Sequence, residues 1–154
     1  MRLTGVVVRT AIAVMALLTA AVGHAAGEKI IVVNTDQQKL YAWEGDDLVY
    51  EFHVVTGKPG KETTAGTFYT TRKYKDYTSK TYGAEMPYSM FFTVDGKAIH
   101  GTSLATLRSF VHAYLTESVG SHGCVGLVEE EAALLFDWAP MGTRIDVVDD
   151  DMDY

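Results

Sequence analysis

One cysteine, Cys124, occurs in the whole 154-residue chain. A lone thiol cannot close a disulfide within the chain. There is no Cys-x-x-Cys or His-Glu-x-x-His to support a metal site. No cysteine lies near the exit of the N-terminal apolar segment, which argues against a lipoprotein. That segment runs only from Ala11 to Val22 and is studded with Ala and Thr, short of the ~20 residues of a membrane span. Basic residues are also few, with 13 Lys+Arg against 20 Asp+Glu and a formal charge of −7. Such a balance argues against nucleic acid or an anionic membrane as a partner. There is no internal repeat and no linker between residues 26 and 148.

The N-terminus carries its own signal. Arg2 and Arg9 precede the apolar run, Gly23, Ala25 and Ala26 follow it, and charge returns at Glu28. This reads as a secretory signal peptide over residues 1–25, with a retained anchor as the alternative. Its removal takes two arginines and no acid, so the formal charge moves from −7 to −9. The expected product is exported to the periplasm, cell wall or extracellular space. It is a monomer without stable membrane insertion, with one domain over 26–148 and an acidic tail over 149–154. Exported proteins use cysteines in pairs, so an unpaired one points to an intermolecular bridge or a reactive thiol.

The middle of the chain patterns as β-structure. Ile30–Asn34 is a β-branched apolar run, and Lys39–Trp43 alternates with Leu40 and Ala42 on one face. Gly45 within the Glu44–Asp47 turn leads to a return strand over Leu48–Val55. Gly57–Gly66 reads as a loop and Thr67–Tyr74 as one further strand. Tyr88–Val94 and Lys97–Gly101 flank Asp95-Gly96, a strong hairpin signal that delivers His100 near a strand end. Two helices are expected. The first covers Ser103–Glu117 with Thr102 or Ser103 as cap, and the second covers Glu129–Ala139 with Leu134, Leu135 and Trp138 as its core face. Thr143–Asp149 is a closing strand. The fold class is therefore mainly β, with one or two packed helices.

Cys124 sits in "GSHGCVGL", Gly120 to Leu127. Glycines at 120 and 123 permit a tight turn, in which the amides of Gly123 and Cys124 can converge as oxyanion donors. A thiol needs a base or a cation to become nucleophilic at neutral pH, and His122 and His100 are both candidates. An imidazolium partner is expected to pull the thiol below its reference value of about 8.5. A zinc site made of His100, His122 and Cys124 is the rival arrangement, and hydrogen-bonded structural histidines are the bland one.

"YSMFFTVDGKAIHGT" followed by "GSHGCVGL" resembles the catalytic core of the L,D-transpeptidases, the YkuD-type domain of bacterial cell-wall enzymes. The similarity extends to Gln38-x-Leu40, Thr56-Gly57, Thr64-Ala65-Gly66-Thr67-Phe68 (where Thr-Pro is usual) and the last helix and strand. It implies a β-sandwich or barrel of that family. Cys124 matches the nucleophile, His100 the general base, and the carbonyl of Gly101 the group orienting the imidazole. Ser121, His122 and Gly123 match motif residues that shape the oxyanion pocket. The implied reaction is acyl transfer on peptidoglycan stem peptides through a Cys124 thioester, with no metal or organic cofactor. Water as acceptor, giving an L,D-carboxypeptidase, and a catalytically dead wall-binding domain are the alternatives.

The chain departs from the family pattern in three places. Gly126 stands where many members have Arg or Asn. Twenty residues separate His100 from Ser121, enough for a helix with Arg108 and His112 that forms either a lid or a packed surface element. With no LysM or other wall-binding module recognised in the sequence, a bare catalytic domain is expected. Tyr88 and Met90, ahead of the hairpin, are candidates for lining the cleft, with a core role as the alternative.

Overall fold

Alternating side chains sort the strands into two sheets. The structure is a computed structural model that describes residues 27–103, 105–108 and 121–149. The expected signal segment, most of the helix expected over Ser103–Glu117, and residues 150–154 of the tail lie outside the described residues. In chain order the elements are β1 (Lys29–Asn34), β2 (Lys39–Glu44), β3 (Asp47–His53), β4 (Gly66–Tyr69), β5 (Arg72–Tyr74), β6 (Ser89–Phe91), β7 (Ala98–Thr102), β8 (Val125–Val128), α1 (Glu129–Trp138) and β9 (Arg144–Val148). One sheet has the order β3-β2-β1-β9-β4, the other β5-β6-β7-β8.

The two sheets and α1 close on one apolar core. Ile31, Val33, Leu40 and Ala42 enter it from β1 and β2, Met90, Ile99, Val125 and Leu127 from the second sheet, and Ala132 and Leu135 from α1. Each large aliphatic enclosed this way contributes roughly 1.5–3 kcal/mol of transfer free energy. The helix face differs from the sequence expectation: Leu134 is exposed and Ala132, Leu135 and Ala139 are buried. Neighbouring helical residues diverge by about 100°, so Leu134 and Leu135 cannot both face the sheet squarely. Leu135 lies between Ala132 and Ala139 at helical spacing, and that stripe meets the strands. Ser103 does cap a helical turn at 105–108, accepting the Thr106 amide at 3.1 Å.

Two further differences bear on the site. The single strand expected over Thr67–Tyr74 is two strands in different sheets, β4 paired with β9 and β5 paired with β6. Successive amides point to opposite sides of an extended chain. Here the Thr70 amide donates to Thr143 O of one layer and the Thr71 amide to Phe91 O of the other. The chain therefore crosses between sheets without a turn. The second difference is β8, which follows the cysteine and runs parallel to β7 with Ile99 beside Val125 and His100 beside Gly126. A second crossing occurs after β3, where Val55 and Gly126 exchange backbone hydrogen bonds of 2.9 Å each, sealing the other edge of β8.

Candidate active site

The β7–β8 register brings the two reactive side chains together. Cys124 immediately precedes β8, so it stands alongside Ala98, two positions before the His100–Gly126 pair. Residues two apart on a strand share a face, which puts Cys124 and His100 on one face, offset diagonally. Both line a cleft of about 640 Å³, whose walls come from loop 60–64, the 79–86 segment, the 95–97 turn and the Ser121–Cys124 turn. Gly126, directly beside His100, puts no side chain on this face.

His100 Nδ1 lies 2.8 Å from Gly101 O. A carbonyl only accepts, so Nδ1 carries the proton and Nε2 presents a lone pair. An imidazole held in this tautomer can accept a proton at Nε2. Burial holds His100 below its usual value, against an opposing pull from the Gly101 carbonyl. Burial also pushes the Cys124 thiol up, an effect reduced by a backbone hydrogen bond from Ala98, reinforced by Asp95 and opposed by Lys97. Both shifts favour neutral forms. Both directions oppose the thiolate–imidazolium pair expected from the sequence, because desolvation is the largest influence on each group.

The turn before Cys124 is held from several sides. Ser121 Oγ donates to Cys124 O and accepts the Gly123 amide at 3.1 Å. The Gly123 amide is thus given to Ser121, whereas the sequence reading had it converging with that of Cys124. Gly123 has φ +97°, a conformation that favours glycine. Its carbonyl accepts from buried Thr63 Oγ1 at 3.1 Å, and Thr63 Oγ1 itself accepts the Gly57 amide at 2.9 Å. Behind it, Ser121 N donates to Thr56 O and Lys58 N donates to Ser121 O, both at 3.1 Å. Thr56 in turn is gripped by Gln38, whose carboxamide accepts the Thr56 amide at 3.0 Å and donates to Thr56 Oγ1 at 2.6 Å. Gln38 makes these bonds from a left-handed backbone, φ +52°.

The remaining candidates fall in different places. His122 is exposed at the cleft, its ring stacked on Tyr82 with centroids 4.6 Å apart. Met90 is fully enclosed in the core, and Tyr88 packs edge-on against Phe136, with 5.8 Å between ring centroids. Neither lines the cleft, so the structure gives both the core role. Among the described residues no group of three or more His, Cys, Asp or Glu could hold a metal ion, so the zinc arrangement of His100, His122 and Cys124 is not formed. Arg108 is exposed on the helical turn, and His112 lies outside the described residues. Sequence reasoning did not single out Lys97, Tyr82, Met86, Thr63 or Thr64 as part of this site. Only Thr64 had a local signal, its place in the Thr-x-Gly segment.

A two-layer β fold with a thiol and an imidazole converging on one cleft defines a cysteine-centred domain. The L,D-transpeptidase catalytic domain (YkuD) family matches residues 28–147, and the chain belongs to that family. Solved structures with the same fold include an L,D-transpeptidase from Stackebrandtia nassauensis, 24% identical with TM-score 0.68, covering 84% of this chain and 61% of that one. An L,D-transpeptidase from Mycobacterium smegmatis is 20% identical with TM-score 0.66, covering 79% and 59%. LdtMt1, solved in complex with imipenem, is 20% identical with TM-score 0.68, covering 79% and 59%. The chain thus spans about three fifths of the length of these structures. No curated protein matches the sequence.

Proposed function

We propose that the protein is an exported peptidoglycan L,D-transpeptidase in which residues 1–25 are a signal peptide and 26–148 the catalytic domain. The observation that carries this reading is the placement of Cys124 and His100 on one face of two parallel strands, with His100 Nδ1 committed to Gly101 O. The substrate is a tetrapeptide stem. As Cys124 Sγ attacks the carbonyl of its third residue, the thiol proton passes to His100 Nε2, so charge develops only in the transition state. The imidazolium is steadied by Gly101 O. It returns the proton to the departing amine of the terminal D-amino acid, leaving a thioester. An acceptor amine then gives a proton to Nε2, attacks the thioester and expels the thiol. Neutral resting partners suit a site that must not be alkylated or oxidised outside the cell.

LdtMt1 was solved with imipenem, and the same β-lactam probes this site. Intact-protein mass spectrometry should show one imipenem adduct on wild-type protein and none on Cys124→Ser. Disaccharide-tetrapeptide should then give a cross-linked dimer. Tripeptide alone would establish hydrolysis and favour the L,D-carboxypeptidase, and no adduct with no product would refute an acyl-transfer site. Secretion is tested separately by N-terminal sequencing of the exported protein, which should begin at Ala26.

A further inference from the structure

Lys97 ends the Asp95-Gly96 turn three residues before His100. Its position is fixed at both ends. The backbone amide donates to Thr93 Oγ1 at 2.8 Å, and Nζ donates to Thr64 Oγ1 at 2.9 Å. Between these anchors the methylenes lie across Gly123. A Cβ built on Gly123 would stand 2.7 Å from Lys97 Cε and 3.2 Å from Cδ. The side chain is only 20% exposed, yet its charge belongs to the wall of the cleft that holds Cys124 and His100. The other lysine lining that cleft, Lys61, is exposed, so its ammonium is not fixed in the same way.

The ammonium has capacity to spare. It has three donors, and Thr64 takes one. Asp95 Oδ2 forms an ion pair with it at 3.6 Å, longer than a good hydrogen bond and from a side chain that is 66% exposed, so donors remain for a second anion. The charge is also near enough to Cys124 to pull the thiol down against its burial. A cation anchored over the residue preceding the nucleophile, with an unfilled donor, suits an anion about one residue from the reacting carbonyl.

We propose that Lys97 binds the terminal carboxylate of the donor peptide and so selects a donor that ends one residue beyond the scissile carbonyl. This rests on the stem-peptide reading above. With the third-residue carbonyl at Cys124, the carboxylate of the leaving residue is about 3.8 Å of chain away. The other carboxylates of a stem lie on an earlier residue or at the end of a side chain, farther from the thiol. Gly126 offers no side chain on this face, so no group at that position competes for the anion. A pre-positioned lysine forms a charge-assisted hydrogen bond with little ordering left to do.

The test is calorimetric binding of two tetrapeptides, identical except for a C-terminal carboxylate or carboxamide, to Cys124→Ser protein, which needs no turnover. The acid should bind on the order of ten- to a hundred-fold more tightly than the amide. Adding Lys97→Met, which keeps the stem over Gly123 and removes the charge, should erase that preference. Adding Lys97→Arg should keep most of it. If the peptides bind without an acid preference, or the preference survives Lys97→Met, Lys97 is not the carboxylate anchor and the stem-peptide reading stands. Loss of the preference in both variants would assign the effect to packing on Gly123 and would also overturn the proposal. If neither peptide binds, the stem-peptide reading fails and takes this proposal with it.

Discussion

Gly123 and Gly126 flank the Cys124-Val125 pair, and replacing each with alanine should have opposite consequences. At Gly123 the backbone has φ +97°. A side chain held in such a region costs on the order of 1–3 kcal/mol. The new Cβ would also sit 2.7 Å from Lys97 Cε and 3.3 Å from Glu62 O. The lysine stem is flexible and can move, but in moving it gives up the bond from Nζ to Thr64. The reduced freedom of the unfolded chain offsets only about 0.4–1 kcal/mol. The net expectation for Gly123→Ala is a loss of roughly 1–3 kcal/mol, and at about 4 °C per kcal/mol for a domain of this size the midpoint falls by roughly 4–12 °C. At Gly126 a Cβ would meet Val55 O at 3.8 Å and Thr102 Cγ2 at 3.9 Å, ordinary contact distances, with no left-handed φ. Gly126→Ala should therefore hold or gain up to about 1 kcal/mol from the unfolded-state effect. Thermal unfolding by circular dichroism of both variants decides the matter. A Gly123→Ala midpoint within a degree of wild type, or a Gly126→Ala variant less stable than Gly123→Ala, would refute the argument.

Three other expectations follow from the same geometry. Because burial raises the Cys124 thiol, iodoacetamide should label native protein more slowly at pH 7 than it labels free cysteine, and labelling should rise only in the alkaline range; brisk labelling at pH 6–7 would restore the ion-pair arrangement. His100 is depressed below its ordinary 6.5, so its neutral burial contributes stability above about pH 6.5 that is lost as pH falls toward the folded value. His100→Asn should flatten the fall in thermal midpoint between pH 7.5 and 5, and an unchanged profile would remove His100 as its source. Gln38→Ala breaks the grip on Thr56, whose carbonyl holds Ser121, at a cost of roughly 1–3 kcal/mol for the buried partners left unpaired. It should also slow imipenem acylation, whereas a less stable variant with wild-type acylation would make Gln38 purely structural.

Local pattern was enough to locate most strands, the Asp95-Gly96 hairpin, the Ser103 cap and the extent of α1, because periodicity and turn chemistry are properties of neighbouring residues. It was also enough to nominate Cys124 and His100 as candidates, since an unpaired thiol and a histidine near a strand end are conspicuous in a chain that opens with a signal-like segment. The strand at Val125–Val128 was there to be read as a short apolar run, but it was absorbed into the turn around the cysteine. Pairing between distant segments has no such local mark. Nothing in Thr67–Tyr74 says that successive amides serve different sheets, and nothing in "AIHGT" or "VGLV" sets β8 parallel to β7 with Gly126 beside His100. That register sets the thiol and the base on one face, while the packing of the other strands buries Met90 and lays Lys97 across Gly123. The protonation states depend on it as well. Desolvation is a property of the folded cleft, and it works against the ionised pair that a cysteine and a histidine suggest by themselves.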